Sequence, residues 1–242
     1  MVSKISASKG SQYCLQWCML NAERELSDLI LSSSPSLLSY TNFKVKWISP
    51  ISNNNFYEYR DDFIRGLSLK DINISETEKK LREFWPKNGP KWDGLGVVED
   101  SEGKQGVLLI EAKAHADETK SDLKASSMES LNMIEEALEN VKRYMGVDKC
   151  CDWTRNYYQL GNRFAYLYFM NEVLNIPTWL VLVNFVNDRS YIKTSLEEWI
   201  KHYNKVYSNM GINRNCRLLD KIVHVFPETS NLSTRKQAIV NP

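Results

Sequence analysis

The stretch Trp179 to Val186 constrains this chain more than any other: Trp-Leu-Val-Leu-Val-Asn-Phe-Val, nearly all β-branched, aliphatic or aromatic, entered through Ile176-Pro177. The run is far short of the roughly 20 apolar residues of a membrane-spanning helix, and its composition is that of a strand covered on both faces. Covering both faces of a sheet takes two layers of helix. A chain of 242 residues, 43% of them apolar, has the material to build both around a core. No apolar stretch approaches membrane-spanning length, so no membrane association is expected.

Periodicity orders the rest. Leu15, Met19, Ala22, Leu26, Leu29 and Ile30 recur at helical spacing from Ser11 to Leu31, until the Ser-rich run Ser32 to Ser36 stops them, which predicts one long first helix. Phe43, Val45 and Trp47 alternate with Lys44 and Lys46 as a half-buried strand ending at Pro50. Trp92 to Val98 and Val107 to Lys113 flank the polar turn Glu99 to Gly106 and read as paired antiparallel strands. Helices are expected over Met128 to Tyr144, Asn156 to Leu174 and Leu196 to Tyr207, and a short final strand over Ile222 to Phe226. The expected fold is a single α/β domain over residues 1–242, a central mixed sheet flanked by helices, with 231–242 as a loose tail.

Bulk properties narrow the functions. Met1 to Gly10 carries Lys4 and Lys9 with no apolar core behind them, so a secretory leader is not expected and the reading is cytoplasmic. The five cysteines include the pairs Cys14/Cys18 and Cys150/Cys151, but no second CxxC or His cluster completes a zinc site, which leaves reduced thiols. A net charge of +1 provides no global field toward nucleic acid. Basic residues gather late, as Lys201, Lys205, Arg214, Arg217, Lys221, Arg235 and Lys236, a surface for phosphates or simply a solvated one.

The chemistry-bearing residues lie on the predicted hairpin. Glu111, Lys113 and His115 are spaced by two and project from one strand face, after a wholly apolar approach from Val107 to Ile110. Charges at that position are poorly hydrated, which disfavours a decorative role. Asp93 begins the preceding strand, and pairing across the turn sets it opposite residues 111 to 113. Two carboxylates and the Ala112 carbonyl then offer oxygen ligands to Mg²⁺, with Mn²⁺ as substitute, while Lys113 orients water or offsets charge.

Pro90-Lys91-Trp92-Asp93 followed, eighteen positions beyond that aspartate, by Glu111-Ala112-Lys113 resembles the motif of the PD-(D/E)XK nuclease superfamily, with Trp92 standing where the name-giving proline would be. The resemblance implies a restriction endonuclease-like αβββαβ core in which 51–90 and 116–150 are insertions. It implies a Mg²⁺-dependent endonuclease acting on nucleic acid, DNA foremost, and a homodimer if both strands are cut. Ala22-Glu23-Arg24 resembles the first-helix glutamate of Holliday-junction resolvase-type members, which nominates Glu23, with Glu25 flanking the apolar stripe equally well. The helix after the hairpin often lends a polar residue to such sites, and Gln159 is the candidate; Arg163, four residues on, shares its face, and it or Asn162 can instead cap the helix or bridge to an acid. His115, just past the strand, is either a loop residue or a site neighbour. A catalytically inactive module that binds nucleic acid or protein is the alternative function.

Overall fold

The computed structural model describes residues 5–70 and 72–229. At its centre β3 (Gln105–Lys113) and β4 (Thr178–Asn184) lie side by side, both buried along almost their whole length. The parallel pairing of Leu109 with Leu180 and Ile110 with Val181 explains why neither run alternates with polar residues, since each has protein on both sides. β2 (Gly94–Glu99) pairs antiparallel with β3, β1 (Lys46–Ser49) antiparallel with β2, and β5 (Ile222–Val225) parallel with β4, so the sheet is mixed and follows chain order from edge to edge. The turn Asp100 to Lys104 closes the β2–β3 hairpin through Asp100 Oδ1, which accepts from the Glu102 and Lys104 N–H groups.

Helices α1 (Gly10–Asn21), α2 (Glu23–Ser32) and α3 (Pro35–Tyr40) cover one sheet face and bury Leu15, Trp17, Leu26, Ile30 and Leu37 against Leu108, Ile110, Ala112, Val181 and Val183. The other face, carrying Leu95, Val97, Leu109, Leu180 and Leu182, lies under α4 (Phe63–Leu67), α5 (Ile74–Phe84), α6 (Met128–Met145), α7 (Tyr158–Tyr168) and α8 (Leu196–Asn209). This is an α/β fold with a five-stranded mixed sheet flanked by helices.

The expected single first helix is two. Ala22 leaves the helical region at φ −150° and ψ 33°. Asn21 Nδ2 donates to the Trp17 carbonyl, the local side-chain bonding with which asparagine competes against a continuing helix. A new helix opens at Glu23, where Glu23 and Glu25 complement the positive end of its dipole. Residues 51–90, read as an insertion, supply Phe63, Ile64, Leu67, Leu81 and Trp85 to the core, and 116–150 supply Ala137, Leu138, Val141 and Met145. Both contribute to the core on the face of the sheet that lies under α4 to α8. The helix expected through Leu174 continues past α7 as a π turn, Phe169–Val173.

The five cysteines are free, and among the described residues no helix is long and apolar enough to cross a membrane. The expected loose tail, 231–242, with Arg235 and Lys236, lies outside the described residues.

Candidate active site

The sheet register carries Asp93 to the place the hairpin pattern predicts. Gly94 pairs with Ile110, so Asp93, one residue before β2, stands opposite Glu111, and its Oδ2 accepts a hydrogen bond from the Ala112 N–H at 2.7 Å. Gly94 lets β1 come close at this point, since a Cβ there would stand 3.0 Å from the Ser49 carbonyl oxygen. Glu111 and Lys113 share the face of Val107 and Leu109, looking toward α7 and α8 rather than toward α1 to α3. Their side chains are 5% and 12% exposed, so this carboxylate and ammonium are held almost out of water.

Two cations meet that carboxylate. Lys113 Nζ bonds Glu111 Oε1. Arg163, from α7, donates from Nε to Oε2 at 2.7 Å, with Nη2 2.5 Å from the same oxygen, and its own side chain is 3% exposed. Burial opposes ionisation of Glu111 more strongly than any other single influence, but Arg163 and Lys113 together outweigh it and hold the carboxyl below its usual range. Burial likewise pulls the Lys113 ammonium down, and Glu111 and Asp93 more than reverse that, leaving it raised. Among the described residues Asp93 has no such cation bonded to it. Burial, then the repulsion of Glu111, push its carboxyl up to about 7 against the pull of Lys113, the Ala112 N–H and Arg163.

The other residues nominated from sequence fall elsewhere. Gln159 lies in the first turn of α7, where its backbone N–H donates to Ser121 Oγ at 2.7 Å, and the residue that reaches the cluster is Arg163, one turn further. Glu23 and Glu25 are exposed at the start of α2, in the helix layer on the opposite face of the sheet. The first helix approaches this end of the sheet through Gln12, whose Nε2 donates to Glu58 Oε1 at 2.7 Å, and Glu58 is ion-paired with Lys91. His115 turns to Glu118, with Nε2 3.3 Å from Oε1, and to the Tyr191 ring at 5.4 Å.

Arg163 is the residue that the sequence reading placed on the right helix face without assigning it to the site. The available signal was a permanent cation among Leu160, Phe164 and Leu167 on a buried helix, which calls for an anion nearby. The clamp on the approach to Asp93 had no local signal at all. Asp61 accepts from the Asn88 and Gly89 N–H groups at 2.9 Å each, and the Trp92 N–H donates to the Tyr59 carbonyl at 2.8 Å. Segment 59–61 thus holds the loop that delivers Asp93.

Among the described residues no three His, Cys, Asp or Glu side chains converge on one metal position. What converges is two carboxylates beside a strand carbonyl. In a strand the N–H and C=O of one residue point to the same neighbour, so the Ala112 carbonyl faces the Asp93 side with its N–H. That donor set fits a hard cation such as Mg²⁺, which takes one or two carboxylates and completes its shell with water and phosphate oxygens. Fitting one requires that an oxygen of Glu111 exchange a protein cation for the metal. No family model, no curated protein and no solved structure matches this chain.

Proposed function

We propose that this chain is a metal-dependent nuclease of the PD-(D/E)XK kind, hydrolysing phosphodiester bonds in DNA, with Asp93, Glu111 and the Ala112 carbonyl holding Mg²⁺ and Lys113 beside them. The observation that carries the reading is the meeting of Asp93 and Glu111 across the β2–β3 register with an ammonium two residues from Glu111 on the same face. Four ionisable groups packed together, with Glu111 and Arg163 buried among them, are costly for a fold to keep, and a catalytic task gives them a use. With α4 and α5 set aside as additions between β1 and β2, the succession of helices, β1, β2, β3, helices and β4 also agrees with an αβββαβ core.

When bound, the metal supplies a Lewis acid and a hydroxide source near neutral pH. The chain's own residues supply the rest. Lys113, a point charge on a flexible stem, is placed to offset charge developing on the phosphoryl oxygens or to orient the attacking water. Arg163 and the packed walls of α7 and α8 keep bulk water from Glu111. Cleavage of plasmid, linear duplex and single-stranded DNA with Mg²⁺ or Mn²⁺, lost with EDTA and in Lys113→Ala, is the expected result. Metal-dependent cleavage undiminished in both Lys113→Ala and Asp93→Ala would overturn the assignment.

One observation favours a second reading. Both oxygens of Glu111 are already satisfied by protein cations, as they would be in a catalytically inactive module of this fold that binds nucleic acid or protein. In that case saturating Mg²⁺ or Mn²⁺ leaves the melting temperature unmoved, whereas a metal bound only to the native state raises it.

A further inference from the structure

Glu111 is gripped by two cations that are themselves anchored very differently. Arg163 has three contacts that do not involve Glu111: Nη1 donates to Asn162 Oδ1 at 2.8 Å, Nη2 donates to the Lys91 carbonyl at 2.9 Å, and the guanidinium lies 4.7 Å from the centre of the Trp92 ring. Two of those partners, Lys91 and Trp92, are the residues immediately before Asp93. One guanidinium therefore touches the carboxylate of β3 and the backbone that carries the carboxylate of β2. Lys113 has no comparable support, its one hydrogen bond and ion pair among the described residues being to Glu111 Oε1. A planar fork held at several points keeps its geometry, whereas an ammonium on four methylenes can turn away when a stronger cation arrives.

We propose that Arg163 is a fixed positioning residue that locks Glu111 Oε2 and the Lys91–Trp92 approach to Asp93 into one frame, and that Lys113 is the exchangeable cation, yielding Glu111 Oε1 to the divalent metal. This rests on the metal-dependent reading above and adds to it which of the two cations moves. Lys113 would give up Glu111 Oε1 to a bound divalent metal and would then be free to reach the substrate phosphate. Opposite effects on metal affinity follow. Removing Lys113 removes a competitor for Oε1. Replacing Arg163 by lysine keeps the charge and loses the fork, so Glu111 is no longer aimed.

The test is a Mn²⁺ titration of the full chain, with free Mn²⁺ read by electron paramagnetic resonance, on the wild type, Lys113→Met and Arg163→Lys, each checked by thermal melting. Lys113→Met is expected to bind Mn²⁺ more tightly by about tenfold or more, because a competing unit charge has left the neighbourhood of Glu111 Oε1, although it does not cleave. Arg163→Lys is expected to bind about 10- to 100-fold more weakly, as when the partner that orients a metal ligand is lost. If Arg163→Lys does not fold, Asn162→Leu, which removes one anchor of the guanidinium, is expected to weaken binding in the same direction. Wild-type binding with Lys113→Met no tighter, or with Arg163→Lys tighter, overturns this assignment and leaves the nuclease reading standing. Absence of Mn²⁺ binding in all of them overturns both.

Discussion

Two buried polar clusters occupy the same face of this sheet on neighbouring strands, and they are built on opposite principles. At the β2–β3 end, Asp93, Glu111, Lys113 and Arg163 are all ionisable, and the balance among them leaves Asp93 pushed up to about 7. One strand over, Asn184, Tyr203, Tyr207 and His224 make a neutral network. Tyr203 Oη donates to Asn184 Oδ1 at 2.8 Å, Asn184 Nδ2 donates to the Leu182 carbonyl at 2.9 Å, and Tyr207 Oη lies 2.5 Å from His224 Nε2. Burial holds His224 down to about 4, so its ring stays uncharged. In the neutral network burial and hydrogen bonding agree, and it serves packing; in the charged cluster they conflict at Asp93. Such a conflict persists where a site needs groups poised to change partner or proton. The two clusters feel each other electrostatically, since Glu111 contributes, after burial and Tyr207, to raising the Tyr203 hydroxyl.

The contrast can be broken most sharply by activity. Asp93→Asn and Lys113→Ala are each expected to lower metal-dependent DNA cleavage by about a thousandfold or more, while Tyr203→Phe leaves cleavage unchanged; a Tyr203→Phe variant as inactive as Lys113→Ala would erase the distinction. Next in size is stability. Arg163→Met takes away one of the two cations of a buried carboxylate and is expected to cost about 3–5 kcal/mol in denaturant unfolding, with much of that recovered in Glu111→Gln/Arg163→Met, where no charge is stranded. No recovery in the double variant would mean that Arg163 acts through its packing on Trp92 rather than through charge.

The pH dependences should have opposite signs. Asp93 binds its proton more tightly folded than unfolded, so its contribution to stability is full below about 4 and is lost as pH rises through about 7. His224 binds its proton less tightly folded, so its contribution is full above 6.5 and is lost as pH falls through about 4. Denaturation curves across pH 4 to 7 are therefore expected to keep only the histidine slope in Asp93→Asn and only the aspartate slope in His224→Gln. Equal slopes in both variants would remove the basis for separating the clusters. The smallest effect expected is that of Tyr203→Phe on stability, about 1 kcal/mol for one buried hydrogen bond.

Much of the charged cluster was legible because strands make it so. With a period of two, Glu111 and Lys113 must share a face, and a short polar turn places Asp93 within a residue or two of its partner. The neutral network was not legible, because Asn184, Tyr203 and His224 come from three separate elements and their meeting depends on how α8 lies across β4 and β5. The same limit explains Glu23. Its helical phase was readable, but the break at Ala22 and the face that α2 covers were not, and these together put it behind the sheet. Gln159 was chosen over Arg163 because the two share a helix face, and only the depth of α7 against β3 selects the residue one turn on.

The five strands, their order of appearance and the Asp93, Glu111 and Lys113 constellation follow from periodicity and from turns of a few residues, where the chain is its own neighbour. That Arg163 completes the charge pairing, that segment 59–61 clamps the approach to Asp93, and that α1 and α2 stand on the far face emerge from how the layers pack. Those are contacts between residues far apart in the chain, 72 positions for Arg163 with the Lys91 carbonyl and more for α1 and α2 against β4 and β5, and they arise from the fit of packed layers rather than from any local pattern.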